Sequence, residues 1–259
     1  MLGSPIGHSL SPAMHRRAYA ELGLDWTYEA LEVDEAGLVP FLDGLGDRWR
    51  GLSLTMPLKR VAVGLVDEVS DRVRSVSALN TIVFDGGRRF GDNTDIPGVT
   101  AALAERGVAG VRHAVVVGAG ATAAACLLAL RSEGLEAATL VVRDAARANE
   151  VAELARGWGL EVTVAQLGDP WRPADLLVST VPSAAVEPYA AAWCARVGAV
   201  FDVIYDPWPT TLASGARAAG LPVTSGLDLL AHQAALQVAM MTGLTIDADI
   251  LRTAALQSR

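Results

Sequence analysis

The sequence predicts an α/β protein of two domains, with C-terminal helices that pack back on the first. Three observations carry this. Short apolar runs alternate with helix-like runs along 259 residues, the pattern of parallel strands covered on both faces. The chain changes character near residue 98. Before it, strands are broken by polar motifs; after it, Ala114-Val-Val-Val-Gly-Ala-Gly-Ala-Thr-Ala123 leads from a strand through a glycine turn into a helix. Finally, the apolar positions beyond residue 228 have no other core to join.

In order along the chain, strands are expected over 28–33, 51–55, 80–84, 114–117, 138–143, 161–165, 175–179, 199–203 and 222–224. Helices are expected over 12–22, 35–45, 57–66, 96–106, 121–133, 144–157, 186–195, 211–219, 228–242 and 247–257. Asp85-Gly86-Gly87 is a hairpin signal that pairs 80–84 with 88–91, so the first sheet is mixed, though mainly parallel. Ser11 is a natural N-cap and Pro12 a natural first helical residue. A parallel sheet should begin with a strand of about five residues, yet only Met1 and Leu2 precede Gly3-Ser4-Pro5. The expectation is a natural start further upstream or a stunted first strand. The domains are expected at 1–97, completed by 228–259, and at 98–227.

Composition narrows the function classes. The net charge is −8 and no long Lys/Arg run occurs, which speaks against nucleic acid as a partner. Cys126 and Cys194 have no metal-ligand spacing, and His8, His15, His113 and His232 form no metal pair. No signal-like or membrane-length apolar stretch is present, so a cytoplasmic, metal-free protein acting on small molecules is expected, as a monomer or homodimer.

Twenty of the 21 basic residues are arginine, and the single lysine is Lys59, in Ser53-Leu-Thr-Met-Pro-Leu-Lys59. Arginine stays protonated, whereas lysine can give and take a proton, so the exception points to proton chemistry. A chance surviving surface lysine is the alternative. Asp95 stands just before the helix at 96–106, where a carboxylate is easily held ionised. Asp92 and Asn93 read as turn formers. Ser9 and Ser11, at one helix start, make a seat for a small carboxylate.

Gly118-Ala119-Gly120-Ala121-Thr122-Ala123 fits G-x-G-x-x-A between a strand and a helix. The first glycine allows the tight turn, the second a close approach to a pyrophosphate, and the small third residue close packing. This predicts a Rossmann-type dinucleotide domain. After the next strand the chain reads Val142-Arg143-Asp144-Ala145-Ala146-Arg147. Two guanidiniums there suit the 2′-phosphate of NADP. Asp144 instead reads as a helix cap paired with Arg147, or as a partner for the 2′-hydroxyl of NAD.

At these residues the chain resembles the shikimate dehydrogenase family over nearly its whole length. The resemblance rests on Gly3-Ser-Pro-Ile-Gly-His-Ser-Leu-Ser-Pro12, Ser53-Leu-Thr-Met-Pro-Leu-Lys59, Ala78-Leu-Asn-Thr81 and Gly91-Asp-Asn-Thr-Asp95. The glycine fingerprint, Asp202-Val-Ile-Tyr-Asp-Pro207 and Ser225-Gly-Leu-Asp-Leu-Leu-Ala-His-Gln233 extend it. It implies reversible NADPH-dependent reduction of the C3 ketone of 3-dehydroshikimate to shikimate. By motif it implies Lys59 and Asp95 as the catalytic pair, and Ser9 and Ser11 on the substrate carboxylate. Thr55, Asn80, Asp95 and Gln233 are implied at the ring hydroxyls, with Tyr205 lining the cleft. Gly118, Ala119, Gly120, Ala121, Arg143 and Arg147 are implied at the cofactor.

The chain departs from the family at several positions. Ser53 stands where Asn is usual, Gly120-Ala121-Thr122 replaces a more glycine-rich turn, and Val142 replaces a polar residue. Competing readings are a quinate or amino-shikimate dehydrogenase, a folate-type methylene dehydrogenase, and a non-catalytic nucleotide or polyol sensor. The intact Lys59 and Asp95 speak against the last.

Overall fold

The computed structural model describes residues 1–258 and divides into two compact units, Met1–Gly98 with Leu230 onward, and Val99–Leu229. In chain order the first unit holds β1 (Leu2–Gly3), α1 (Ser11–Glu21), β2 (Leu31–Glu32), α2 (Glu35–Asp43), β3 (Gly51–Ser53), α3 (Leu58–Val61), β4 (Glu68–Val69), α4 (Asp71–Val76), β5 (Thr81–Asp85), β6 (Arg88–Asp92) and the start of α5 (Asp95–Glu105). The second holds β7 (His113–Val117), α6 (Ala121–Ser132), β8 (Ala137–Val142), α7 (Asn149–Gly157), β9 (Glu161–Gln166), β10 (Ala174–Ser179), α8 (Ser183–Val186), α9 (Ala190–Cys194), β11 (Val197–Asp202), α10 (Thr211–Ala218), β12 (Val223–Ser225) and the start of α11 (Gly226–Thr242). The chain therefore passes between units inside α5 and α11. The last helix, α12 (Ala248–Gln257), belongs to the first unit and packs along α1.

In the first unit, a four-stranded sheet runs β3-β5-β6-β4, and β1 pairs with β2 alongside. β5 is antiparallel to β3 and β6, while β4–β6 and β1–β2 are parallel. With the parallel bridge between Leu2 and Leu54, which joins β1 to the chain just after β3, three pairings of this unit are parallel and two antiparallel, the mixed, mainly parallel arrangement expected. The antiparallel β5–β6 pair has a local cause: Gly86 and Gly87 both take positive φ, +55° and +80°, as a two-residue hairpin turn requires. Leu2, Leu38, Leu52, Leu58, Leu79 and Ile82 are the fully buried centre of this unit.

Two elements here had no counterpart in the sequence reading, β4 and α4. α4 is six residues long, too short for a periodic signal, but it carries a start signal. Ser70 accepts the Val73 N–H at 3.3 Å, with Asp71 in the first turn. The helix expected over 57–66 is only four residues of α3 followed by a 3₁₀ turn, Ala62–Leu65. The helices expected over 144–157 and 186–195 are likewise interrupted by 3₁₀ turns, at Ala145–Ala148 and Glu187–Tyr189.

The second unit is built on a six-stranded, wholly parallel sheet of order β12-β11-β10-β7-β8-β9. Every residue of β7 and β8 is buried, as strands covered by helices on both faces must be. Strand order reverses between β7 and β10, and at such a switch point the loops leaving the two strands diverge and open a crevice. Across the described residues, no helix is long and apolar enough to cross a membrane.

Candidate functional site

In the first unit the polar motifs converge on Asp95, the first residue of α5. Lys59, on the short helix α3, places Nζ 2.5 Å from Asp95 Oδ2. Asn80 Nδ2 donates to Asp95 Oδ1 at 2.8 Å and lies 3.3 Å from Gln233 Oε1 on α11. One carboxylate therefore holds a lysine on one oxygen and an amide on the other. The pair is largely enclosed, with side-chain exposure of 16% for Lys59 and 8% for Asp95, which strengthens the attraction relative to water. The Asp95 N–H donates to Asn93 Oδ1 at 3.1 Å, so Asn93 satisfies an otherwise orphaned donor at the start of α5. Asp92 stays outside this cluster, held by Arg72 and Ser70.

Thr55 begins the turn into Lys59, its carbonyl accepting the Leu58 N–H at 2.9 Å. Gly3 makes room for it. A Cβ at Gly3 would stand 2.3 Å from Thr55 Cγ2 and 2.9 Å from the Met56 carbonyl oxygen. The Ser4 N–H donates to that same carbonyl at 3.0 Å. The glycine thus lets the approach to α1 lie directly against the loop that leads to Lys59.

Ser9 and Ser11 sit at the start of α1, and their local roles differ from the expected ones. Ser11 is the first helical residue rather than the N-cap, which is Leu10, and no side chain caps from that position. Instead the Ser9 hydroxyl accepts the Ser11 N–H at 3.2 Å and lies 2.7 Å from Met1 Sδ. The Leu10-Ser11-Pro12 geometry moves the helix start one residue back, and the capping task passes to the preceding serine.

In the second unit, a cavity of about 590 Å³ lies at the switch point between β7 and β10. Its lining includes Gly118, Ala119, Gly120, Arg143, Arg147 and Val181, with Ala121 next in the turn. Gly118 has φ +108°, and a Cβ there would meet Thr180 Oγ1 at 2.3 Å, so only glycine fits. A Cβ on Gly120 would meet nothing within 4 Å, which leaves the start of α6 open to an anion. Among the described residues neither Arg143 nor Arg147 has a carboxylate partner, and both are exposed at the cavity. Asp144 turns away: its carboxylate accepts the Ala146 N–H at 3.0 Å, capping the following turn. It makes no pair with Arg147. Val142 is buried. The lining therefore fits a dinucleotide bearing an extra phosphate, with two free cations and no competing acid among the described residues.

Tyr205 belongs to this second unit, on the loop after β11. That loop is anchored by Asp202, which accepts from Thr210 Oγ1 at 2.7 Å and from the Ile204 N–H at 3.2 Å. Burial pushes the Asp202 carboxyl up, and those two donors pull it down. Among the described residues no group of three or more His, Cys, Asp or Glu is placed to hold a metal ion.

The first unit alone already matches a known description. Residues 1–82 match the shikimate dehydrogenase substrate binding domain. A Thermus thermophilus protein named shikimate dehydrogenase (NADP(+)) is 38% identical over 98% of this chain and 96% of its own. The chain belongs to the shikimate dehydrogenase family. A shikimate 5-dehydrogenase from Mycobacterium fortuitum superposes with TM-score 0.89 at 42% identity, covering 98% of this chain and 95% of that one. The Thermus thermophilus enzyme solved with NADP(H) and shikimate superposes with TM-score 0.85 at 35% identity, covering 100% and 98%.

Sequence reasoning singled out Lys59, Asp95, Asn80 and Gln233, and these four are joined in one hydrogen-bonded cluster. It missed Thr94, whose hydroxyl lies 3.0 Å from Asn80 Nδ2 although it stands inside the Gly91–Asp95 motif. It also missed Gln237, one helical turn beyond Gln233 and on the same face of α11.

Proposed function

We propose that this chain is an NADP-dependent shikimate dehydrogenase that reversibly reduces the C3 ketone of 3-dehydroshikimate to shikimate, a step in the formation of aromatic amino acids. The observation that carries the reading is the Lys59–Asp95–Asn80 cluster in the same chain as a cavity lined by two arginines without carboxylate partners among the described residues.

Residues 1–97, completed by 228–259, act as the substrate-binding and catalytic domain, and residues 98–227 as the cofactor domain. Ser9 and Ser11 hold the substrate carboxylate. Thr55, Asn80 and Gln233 hold the ring hydroxyls. The bound nicotinamide supplies the hydride. As the ketone becomes an alkoxide, the Lys59 ammonium donates the proton that neutralises it, and in the reverse direction Lys59 accepts that proton. Asp95 keeps the ammonium aimed and accepts a substrate hydroxyl. Gly118, Ala119, Gly120 and Ala121 present backbone to the pyrophosphate, while Arg143 and Arg147 grip the 2′-phosphate. The ligands are small molecules, and cysteines buried in apolar surroundings fit a reducing cytoplasm.

Initial rates with shikimate and quinate, each crossed with NADP and NAD, test the reading. Highest kcat/KM for shikimate with NADP is expected. A higher value for quinate would replace the substrate, and no turnover of either would remove the function.

A further inference from the structure

A buried chain of hydrogen bonds reaches the Lys59–Asp95 pair from behind, and the donors and acceptors in it allow only one direction. Gln237 on α11 is 1% exposed. Its side-chain amide lies 3.1 Å from the Asn80 carbonyl oxygen, which can only accept, so the NH₂ faces that way. The same NH₂ donates to Thr81 Oγ1 at 3.0 Å. The Thr81 hydroxyl must then spend its proton elsewhere, and it donates to Asn80 Oδ1 at 2.8 Å. Asn80 Oδ1 also accepts the Thr94 N–H at 2.9 Å. With its oxygen held by two donors, Asn80 can present only its NH₂ to Asp95.

The other end of Gln237 is equally constrained. With its NH₂ committed, Oε1 faces Ser53 and His15 and accepts from both, at 2.9 Å and 3.3 Å. Ser53, having donated, accepts from the Tyr28 hydroxyl at 2.8 Å. His15 must carry its proton on Nε2, which leaves Nδ1 bare, and Nδ1 is a buried atom without a partner. Burial keeps His15 neutral, its pKa lowered to about 3 against the raising effect of its hydrogen bond to Gln237. Ser53 is the position where the family usually carries Asn, and here its hydroxyl completes the Gln237 acceptor shell.

We propose that Gln237 is a positioning residue for catalysis: through the Asn80 carbonyl and the Thr81 hydroxyl it adds to the Thr94 N–H in holding the Asn80 amide with its NH₂ toward Asp95, and so steadies the carboxylate that aims Lys59. This deepens the functional reading and rests on it. Without the Gln237 donor, Thr81 is free to turn its hydroxyl. The Asn80 oxygen is then held from the Thr94 side alone, by its N–H and hydroxyl, and the amide is set less firmly against Asp95.

The experiment compares Gln237→Met, of similar length but without a donor, with Asn80→Ala and the double variant. Shikimate kcat/KM should fall about tenfold or more in Gln237→Met with the KM for NADP unchanged, and should fall no further when Gln237→Met is added to Asn80→Ala. Additive losses would overturn the proposal, as would a Gln237→Met enzyme that loses melting temperature but keeps wild-type kcat/KM. Thr81→Val removes only the relaying hydroxyl and replaces Gln237→Met if that variant does not fold; it should lower the same constant, and wild-type kinetics in it would count against the relay.

A second readout does not depend on turnover. Because Lys59 is the only lysine, lysine-selective ¹⁵N labelling gives one side-chain signal. That signal should move in Gln237→Met and Thr81→Val in the direction it moves in Asn80→Ala. An unmoved signal would sink the positioning role. A signal that moves in a protein that does not turn over shikimate would sink the functional reading alone.

Discussion

Lys59 Nζ lies 2.5 Å from Asp95 Oδ2, and no other lysine exists in the chain to take its place. An arginine could make the same ion pair with a carboxylate at least as well. Retention of lysine here alone means that holding Asp95 is not its whole task. The extra property is a proton that can leave.

Replacing Lys59 therefore separates pairing from proton transfer. Lys59→Ala should lower kcat by roughly 10²–10⁴-fold, the usual worth of a positioned acid, with little change in the KM for shikimate. Lys59→Arg should keep the Asp95 pair and the fold, yet lose about as much kcat as the alanine variant. Steady-state rates together with far-UV circular dichroism check this. Near-native turnover by the arginine variant would remove the acid role.

Arg143 and Arg147 line the dinucleotide cavity, with no carboxylate on either among the described residues. Arg143→Ala should weaken NADP by about 1.5–3 kcal/mol, the usual loss for a hydrogen bond to a charged group, and NAD much less. Asp144 is engaged with the Ala146 N–H, so Asp144→Asn should leave the NADP-to-NAD ratio nearly unchanged. Titrations of both cofactors followed by protein fluorescence give the comparison. Equal losses for NADP and NAD in Arg143→Ala would make that residue structural.

Some of this architecture was readable in the sequence because its signals are local. Asp85-Gly86-Gly87 announced the hairpin through positive φ, and the glycine fingerprint announced the turn at β7 because only glycine accepts the Gly118 conformation. Other features depend on tertiary partners. The two-residue β4 exists only because β6 pairs with it, and six-residue α4 has no period to detect. The 3₁₀ turns that split three expected helices keep helical spacing closely enough to look continuous. At the site, Lys59 stood out by rarity and Asp95 by its place before a helix. Gln237 did not stand out, because a glutamine inside an apolar helix acquires meaning only when Asn80, Thr81, Ser53 and His15 are brought around it. The serine at 53 read only as a departure from the family's asparagine for the same reason.

The buried imidazole makes the fold sensitive to mild acid. Burial lowers the His15 pKa from 6.5 to about 3, opposed by its hydrogen bond to Gln237, and the ring stacks on Tyr28 at 4.1 Å. The folded value lies below the unfolded one, so the unfolded chain takes up the proton first. The His15 contribution to stability is then complete above about pH 6.5 and is lost progressively as the pH falls toward 3. His113, also lowered mainly by burial, acts in the same direction from the same starting point. The urea midpoint should fall between pH 7 and pH 5. His15→Phe keeps an aromatic ring on Tyr28 and cannot titrate, so its midpoint should fall less steeply. Identical slopes for wild type and variant would mean that the imidazole does not control this window.

The two serines at the start of α1 should separate by function. Ser9 accepts the Ser11 N–H, so Ser9→Ala should cost about 0.5–2 kcal/mol of stability, as loss of a capping side chain does, and also raise the KM for shikimate. Ser11 is buried but is not the cap. Ser11→Ala should therefore raise the KM with a smaller stability loss. Chemical denaturation paired with shikimate kinetics on both variants resolves the two effects. If Ser11→Ala is the more destabilised protein, the capping role belongs to Ser11 after all. If neither variant changes the KM, the carboxylate seat lies elsewhere in the first unit.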